Sequence, residues 1–237
     1  MNQFYCRQLL AGRDFALDDP VAVGMRNFAY AIGDRNAGVA VLVDPAYRPV
    51  ELAELVEADG LRVVGAIATH YHPDHVGGVL GGRTEVAGIV ELLDWRDVPV
   101  HAHRDELEWI ERRTGVGRTH LAGHDDGDVL AVGEIDITLV HTPGHTPGSQ
   151  CLLVEGALLS GDTLFIDGCG RTDLPGGDPE AMYDTLTRRL ASVPSDTVLM
   201  PGHLYSPEAS ASMAEVRTRN FVLAPQSREA WLSMFAT

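Results

Sequence analysis

Apolar residues in the first half of the chain fall into short runs broken by turn residues rather than into long helical stripes. Phe28 to Ile32 and Val39 to Val43 are two such runs, and the Gly-Asp-Arg-Asn-Ala-Gly stretch between them predicts a hairpin with a polar loop. Asp44-Pro45 ends the second strand. From Pro49 to Ala58, Leu52, Leu55 and Val56 share one helical face, and Gly60 stops the helix. Leu61 to Ala68 is an almost continuous, β-branched apolar run of the kind a sheet buries on both faces. It delivers the chain into Thr69-His70-Tyr71-His72-Pro73-Asp74-His75.

Beyond that segment, Val76 to Leu80 and Val86 to Trp95 read as helices, Pro99 to His103 as a brief strand, and Arg104 to Arg113 as a charged helix ending near Gly115. Strands over Asp128 to Val132 and Ile135 to Val140 pair through Gly133-Glu134, and two further runs, Gln150 to Val154 and Ala157 to Ser160, flank Glu155-Gly156. Helix signals return over Asp178 to Ala191, Thr197 to Met200 is a last short strand, and the chain from about residue 207 is helical in pattern. No fixed-period repeat and no Pro- or Ser-rich linker divides the sequence, so a single layered α/β domain over residues 1–237 is expected.

Composition narrows the function classes. The chain is 45% hydrophobic and 22% charged, enough to bury a globular core. Acidic residues outnumber basic ones 34 to 18, for a formal charge of -16, and every basic residue is Arg. That field repels phosphate backbones and anionic headgroups, so neither a nucleic-acid nor a membrane partner is expected. Without lysine, Schiff-base chemistry is excluded. Cys6, Cys151 and Cys169 form no Cys-x-x-Cys pair, which leaves neither a disulfide framework nor a thiolate zinc site. No apolar run approaches the ~20 residues of a membrane span, and the N-terminus lacks a signal-peptide pattern. A soluble protein of the reducing cytoplasm is the expectation.

The chemistry concentrates at strand ends. His70-x-His72-x-Asp74-His75 places three imidazoles and a carboxylate within six residues, just past a buried strand. In extended backbone, residues i and i+2 point the same way, so His70 and His72 can meet one ion, while Asp74 and His75 lie beyond the bend at Pro73. Nitrogen and oxygen donors without thiolate suit zinc, iron or manganese. His145, Asp162 and His203 each follow an apolar run by two to five residues, and ligand sites in open α/β sheets gather beyond strand ends. On its own Asp162 reads as a turn residue; its place in this series makes it a ligand candidate.

In order from residue 69 to 203 the chain carries His-x-His-x-Asp-His, Pro-Gly-His-Thr, Ser-Gly-Asp-Thr-Leu-Phe, Gly-Cys-Gly-Arg and Pro-Gly-His. This set resembles the metallo-β-lactamase fold superfamily, in its glyoxalase II (hydroxyacylglutathione hydrolase) and persulfide dioxygenase branch. The resemblance implies an α/β (α+β) fold, a four-layer αβ/βα sandwich of two mixed sheets flanked by helices, with a short helical C-terminal segment. It also implies that His70, His72, His145 and Asp162 bind one divalent ion and Asp74, His75, Asp162 and His203 a second, with zinc first and iron or manganese as alternatives. His141 is then a strand-end residue, and His101, His103, His120 and His124 lie outside the motifs.

The activity implied is hydrolysis of an acyl thioester of a small thiol, in which a metal-activated water attacks the carbonyl and Asp74 orients it and takes its proton. The alternative is a mononuclear Fe(II) persulfide dioxygenase, toward which Arg171-Thr172-Asp173 leans; Pro175-Gly176-Gly177-Asp178 continues the loop as in small thioester hydrolases of the superfamily. Arg171 and Tyr205 fall at positions that meet the thiol conjugate in glyoxalase II, whereas Asp173 stands where an aromatic residue is expected. Only 34 residues follow His203, too few for the helical domain that grips glutathione in that family. A small-molecule thiol conjugate is the expected partner, with a homodimer left open.

Overall fold

Along β2 (Phe28–Asp34), Phe28, Tyr30 and Ile32 enter one apolar cluster while Ala29 and Ala31 enter another, so both faces of the strand are buried. The same alternation recurs in β3 (Val39–Val43), where Val41 and Val43 oppose Ala40 and Leu42. Strands buried on both faces need a second layer on each side. The computed structural model, which describes residues 3–224 and 227–235, supplies those layers.

The first six-stranded sheet runs β1 (Phe4–Leu10), β2, β3, β4 (Arg62–Ile67), β7 (Val100–His103), β8 (Leu121–His124). The second runs β14 (Ala211–Ser212), β13 (Val198–Pro201), β12 (Ala157–Gly161), β11 (Gln150–Val154), β10 (Ile135–His141), β9 (Val129–Val132). Both are mixed: β3, β4, β7 and β8 are parallel, and β12 is parallel to β13, while the remaining pairs are antiparallel. Ile32, Val43 and Ile67 of the first sheet meet Ile137, Leu152 and Leu159 of the second in the central layer. Helices α1 (Pro20–Met25), α2 (Pro49–Ala58), α4 (Ile89–Trp95) and α5 (Leu107–Thr114) cover the outer face of the first sheet through residues such as Leu52, Leu92 and Ile110. Helices α6 (Pro179–Asp184), α7 (Met213–Arg219) and α8 (Arg228–Phe235) cover the second with Met182, Val216 and Trp231. This is the αβ/βα sandwich that the motifs imply.

Several elements depart from the sequence reading. The predicted helix over Val76 to Leu80 does not form. Instead α3 (Pro73–Val76) makes one turn, Gly77 and Gly78 adopt φ of 90° and 108°, and β5 (Gly78–Leu80) pairs with β6 (Thr84–Val86). The following helix therefore begins only at Ile89. Strand β1 was not signalled by the sequence, because the adjacent polar residues Arg7 and Gln8 break its alternation on a sheet edge. The four residues of β8 are too short to carry a pattern. The helix expected over Asp178 to Ala191 is α6, capped by the Asp178 carboxylate at the Glu180 and Ala181 amides; from Thr185 it continues as a π turn and then a 3-10 turn. Cys6, Cys151 and Cys169 are free. No helix among the described residues is long and apolar enough to cross a membrane.

Candidate metal centre

Strands β3 and β4 run in one direction in the first sheet, and β10, β12 and β13 share a direction in the second. Their carboxyl ends meet at one edge of the sandwich, where the Gln150 amide bonds to the Thr69 carbonyl (3.0 Å) and the Phe28 amide to that of Gly202 (2.8 Å). His70 and His72 follow β4, Asp74 and His75 ride on α3, His145 follows β10, Asp162 follows β12, and His203 follows β13. Loops at this edge approach closely. A Cβ on Gly170 would stand 2.0 Å from the Asp162 carbonyl and 2.8 Å from His145 Nδ1, so only glycine lets the Gly-Cys-Gly-Arg turn lie against the centre.

All seven residues come together. Their donor atoms form three overlapping groups, His70/His72/His145, His70/His75/Asp162 and Asp74/His75/His203, each with its atoms within 4.8 Å of one another. Asp162 lies between the outer groups: one oxygen is 3.4 Å from His75 Nε2, and the other is 3.7 Å from His145 Nε2 and 3.3 Å from His203 Nε2. Every one of the five imidazoles is buried.

The outer ring nitrogens set which lone pairs face inward. His75 Nδ1 lies 2.9 Å from Asp44 Oδ2, His203 Nδ1 2.9 Å from the Met25 carbonyl and His145 Nδ1 2.7 Å from the Arg171 carbonyl. All three acceptors demand a donated Nδ1–H, which leaves Nε2 as the nitrogen that faces the centre and can ligate once it is deprotonated. Thr69 Oγ1 donates to Asp44 (2.7 Å), so it accepts from His70 Nδ1 at 3.0 Å and again frees Nε2. His72 is reversed: its Nδ1 faces His145 Nε2 at 2.9 Å.

Electrostatics divide the centre in two. Burial, reinforced by the neighbouring imidazoles, pushes His70 well below its ordinary value. Burial and then His145 take His72 down to about 3. Burial also lowers His145, against the pull of Asp162. On the other side burial again opposes the His75 cation, but Asp162, Asp74 and Asp44 outweigh it and raise the ring to about 9. His203 is likewise raised, by Asp162 and Asp74 against its burial. Burial favours the neutral acids of Asp74 and Asp162, yet His75 and His203 hold both well below the usual carboxylate range.

Two buried atoms test whether cations fit. His70 Nε2 and Asp162 Oδ1 have no hydrogen-bond partner, and burying a polar atom unsatisfied is costly unless something else meets it. A set of imidazole nitrogens and carboxylate oxygens, with inward lone pairs and no thiolate, suits divalent zinc, iron or manganese.

Sequence reasoning missed the residues that hold these donors. Asp44 is read from sequence as a strand terminator; at φ 52° it turns its carboxylate under the centre to accept from His75, Thr69 Oγ1 and the Thr69 amide. Asn27 donates to Asp74 at 3.1 Å while its own oxygen accepts from Tyr47 at 2.8 Å. Glu106 is fully buried; one oxygen accepts from Thr146 Oγ1 and the Gly148 amide, both at 2.7 Å, which pins the turn bearing His145. Burial raises this carboxyl to about 7.

A cavity of about 650 Å³ opens over the centre, and Arg171 and Tyr205 are among the residues that line it. Arg171 is already engaged: its guanidinium forks onto Asp173 at 2.6 and 2.5 Å. Tyr205 stacks on His203, with centroids 4.6 Å apart and planes 12° apart. His141 donates from Nε2 to the Pro147 carbonyl at 2.8 Å, which steadies the same His145 turn. His101 pairs with His124 (2.9 Å) and His120 faces Asp97 (3.2 Å), away from the seven.

Residues 24–203 match the family described as the Metallo-beta-lactamase superfamily. A hydroxyacylglutathione hydrolase of Alkalilimnicola ehrlichii is 37% identical over 181 residues, which cover 76% of this chain and 62% of that protein. The mitochondrial persulfide dioxygenase ETHE1 of Homo sapiens is 30% identical over 197 residues, covering 81% of this chain and 70% of that one. The crystal structure of ETHE1 from Myxococcus xanthus superposes with a TM-score of 0.78 at 27% identity, covering 98% of this chain and 90% of that one. With a family match over most of its length and relatives of this identity and coverage, the chain belongs to the metallo-beta-lactamase superfamily of metal-dependent enzymes.

Proposed function

We propose that the protein is a binuclear metal-dependent hydrolase of acyl thioesters of a small thiol. The observation that carries this reading is the placement of Asp162 between two complete donor groups, with its oxygens facing both. His70, His72 and His145 would hold one ion, Asp74, His75 and His203 the other, and Asp162 would bridge them. Divalent ions at those donors supply Lewis acidity, lowering the pKa of a water toward neutrality and polarising a carbonyl oxygen. Asp74, anionic and steadied by Asn27, accepts a hydrogen bond from the attacking water and orients it. Burial and Asp162 raise Tyr205, and burial raises Cys169 to about 12, so both cavity groups keep their protons at neutral pH. A thiolate leaves without obligatory protonation, so the reaction needs no separate general acid.

A second reading, a mononuclear Fe(II) persulfide dioxygenase, is favoured by the Arg171-Thr172-Asp173 turn and by the likeness to the ETHE1 structure of Myxococcus xanthus. There His70, His145 and Asp162 would form a two-histidine, one-carboxylate set, with O2 oxidising the persulfide sulfur. Elemental analysis of protein purified without added metal, with parallel assays of thioester cleavage and O2 uptake, separates the two. Two divalent ions per chain and cleavage without O2 uptake are expected. One iron per chain with O2 uptake on a thiol persulfide overturns the hydrolase reading.

A further inference from the structure

The cavity over the centre carries a cation that the hydrolytic chemistry leaves unused. Arg113, in the last turn of α5, sits on the cavity wall with its guanidinium carbon 5.6 Å from the centroid of the Tyr71 ring. That ring stacks on Trp109 (4.9 Å, 21°) and donates its hydroxyl to the Pro175 carbonyl at 2.6 Å. Trp109 and Arg113 are four residues apart on one helix face, so the two flank Tyr71 from a single rigid element. Below, the arginine stem lies against Gly78: a Cβ there would stand 2.6 Å from the Arg113 carbonyl and 3.1 Å from its Cγ. The guanidinium is thus placed by packing and not by an ion pair.

Of the two arginines that line the cavity of this chain of net charge -16, Arg113 is the one not held by a carboxylate among the described residues. Its neighbour Arg112 pairs with Glu108, and Arg171, on the same cavity, is forked onto Asp173. Glu85 and Glu91 line the adjoining groove, yet among the described residues no carboxylate pairs with Arg113. A half-buried guanidinium kept unpaired among so many acids is free to fork a carboxylate from solution. The same cavity wall carries the apolar side chains of Val79, Leu80, Leu174 and Pro175. A cavity of about 650 Å³ takes a small molecule and not a polymer.

We infer that Arg113 is the anion seat of the cavity and that it selects thioesters bearing a carboxylate, on the thiol or on the acyl side, over neutral ones. The inference rests on the hydrolase reading and moves the specificity role expected of Arg171 to α5.

Three thioesters test it on the metal-loaded protein: S-acetyl-N-acetylcysteine, with a thiol-side carboxylate; S-acetyl-N-acetylcysteamine, its neutral counterpart; and S-succinyl-N-acetylcysteamine, with an acyl-side carboxylate. The better carboxylate ester should exceed the neutral one in kcat/KM by on the order of tenfold, the size of a charge-assisted bond near solvent. Which one leads identifies the side that Arg113 meets. In Arg113→Gln the preference should fall to about one, through KM and not kcat, and Arg113→Lys should recover part of it. No preference in the wild type, or an unchanged preference in Arg113→Gln, overturns the inference. If no ester is cleaved, the hydrolase reading fails and binding alone decides. Calorimetric affinity for S-methyl-N-acetylcysteine should then drop about tenfold in Arg113→Gln, and equal affinity in the two proteins overturns the seat.

Discussion

Among the described residues two clusters of histidine and carboxylate bring their donor atoms together at strand ends, and one of them converges. At the candidate centre the rings cross edge to face, His70 on His72 at 87° and His72 on His145 at 84°, so their in-plane lone pairs point at shared space. His103, Asp105 and His141 also bring their donor atoms within 4.8 Å. There, however, the rings lie parallel, 3.8 Å apart and tilted by 5°, and their lone pairs run side by side. His103 Nδ1 already accepts from the Asp105 amide at 3.3 Å, and His141 Nε2 is spent on Pro147. Proximity and residue type are the same in both clusters. What differs is burial, complete in the first and partial in the second, and the outer anchors at His70, His75, His145 and His203, which turn Nε2 inward at the first site.

The strongest way to break this contrast is to remove the residue that joins the two halves of the centre. Asp162→Ala should lose both ions by elemental analysis. Losing several kcal/mol of charge stabilisation corresponds to a fall in thioester cleavage of at least about a thousandfold. Full metal content in this variant would contradict the proposed bridge. Next in size is an anchor. Asp44→Asn keeps the shape but weakens the acceptor under His75 and Thr69, and outer partners of this kind are worth roughly 10–100-fold in metal affinity. Competition with a chelator measures it, and unchanged affinity would mean that the anchor does not set the donor.

The same contrast explains how much was legible beforehand. The strands and the motifs after them were readable, because a two-residue alternation and dense His/Asp runs are local signals. His103 lay outside those runs, and in the fold its ring stacks on that of His141. Asp44, Asn27 and Glu106 were invisible: each acts across a sequence separation of dozens of residues, Asp44 on His75, Asn27 on Asp74 and Glu106 on Thr146, and nothing in the local pattern marks them. Arg113 was read only as part of a charged helix, since its isolation from carboxylates is a property of the folded surface. The β5 strand was read as part of a helix over Val76 to Leu80, where Gly77 and Gly78 in fact turn the chain at positive φ.

The two halves of the centre should also part with pH. His72, at about 3, and His70 and His145, both lowered, are neutral near pH 7 and ready to ligate. His75, at about 9, and His203 carry protons in the metal-free protein and must release them first. Zinc titrations should therefore show one site with flat affinity from about pH 6 to 9 and a second that tightens as pH rises across this range. In metal-free protein the sign for stability is reversed. His75 is raised above its unfolded value of about 6.5, so its contribution is fully present below that pH and is lost as pH rises through about 9. Urea midpoints should fall over this window without metal, and a rise would contradict the charge pattern at His75.

The smallest effect is expected at the cluster that does not converge. His103→Ala removes a ring that caps the 3-10 turn at Asp105 and stacks on His141, so stability should fall by about 1 kcal/mol, the usual cost of losing such a cap. Metal content and chelator-competition affinity should stay within about twofold of wild type, because parallel lone pairs have no common point for an ion at the ~2.0–2.1 Å that a zinc–nitrogen bond requires. Loss of an ion from this variant would show that the stacked pair reopens in solution, and that the ring planes, and not the anchors, are the adjustable part of the comparison.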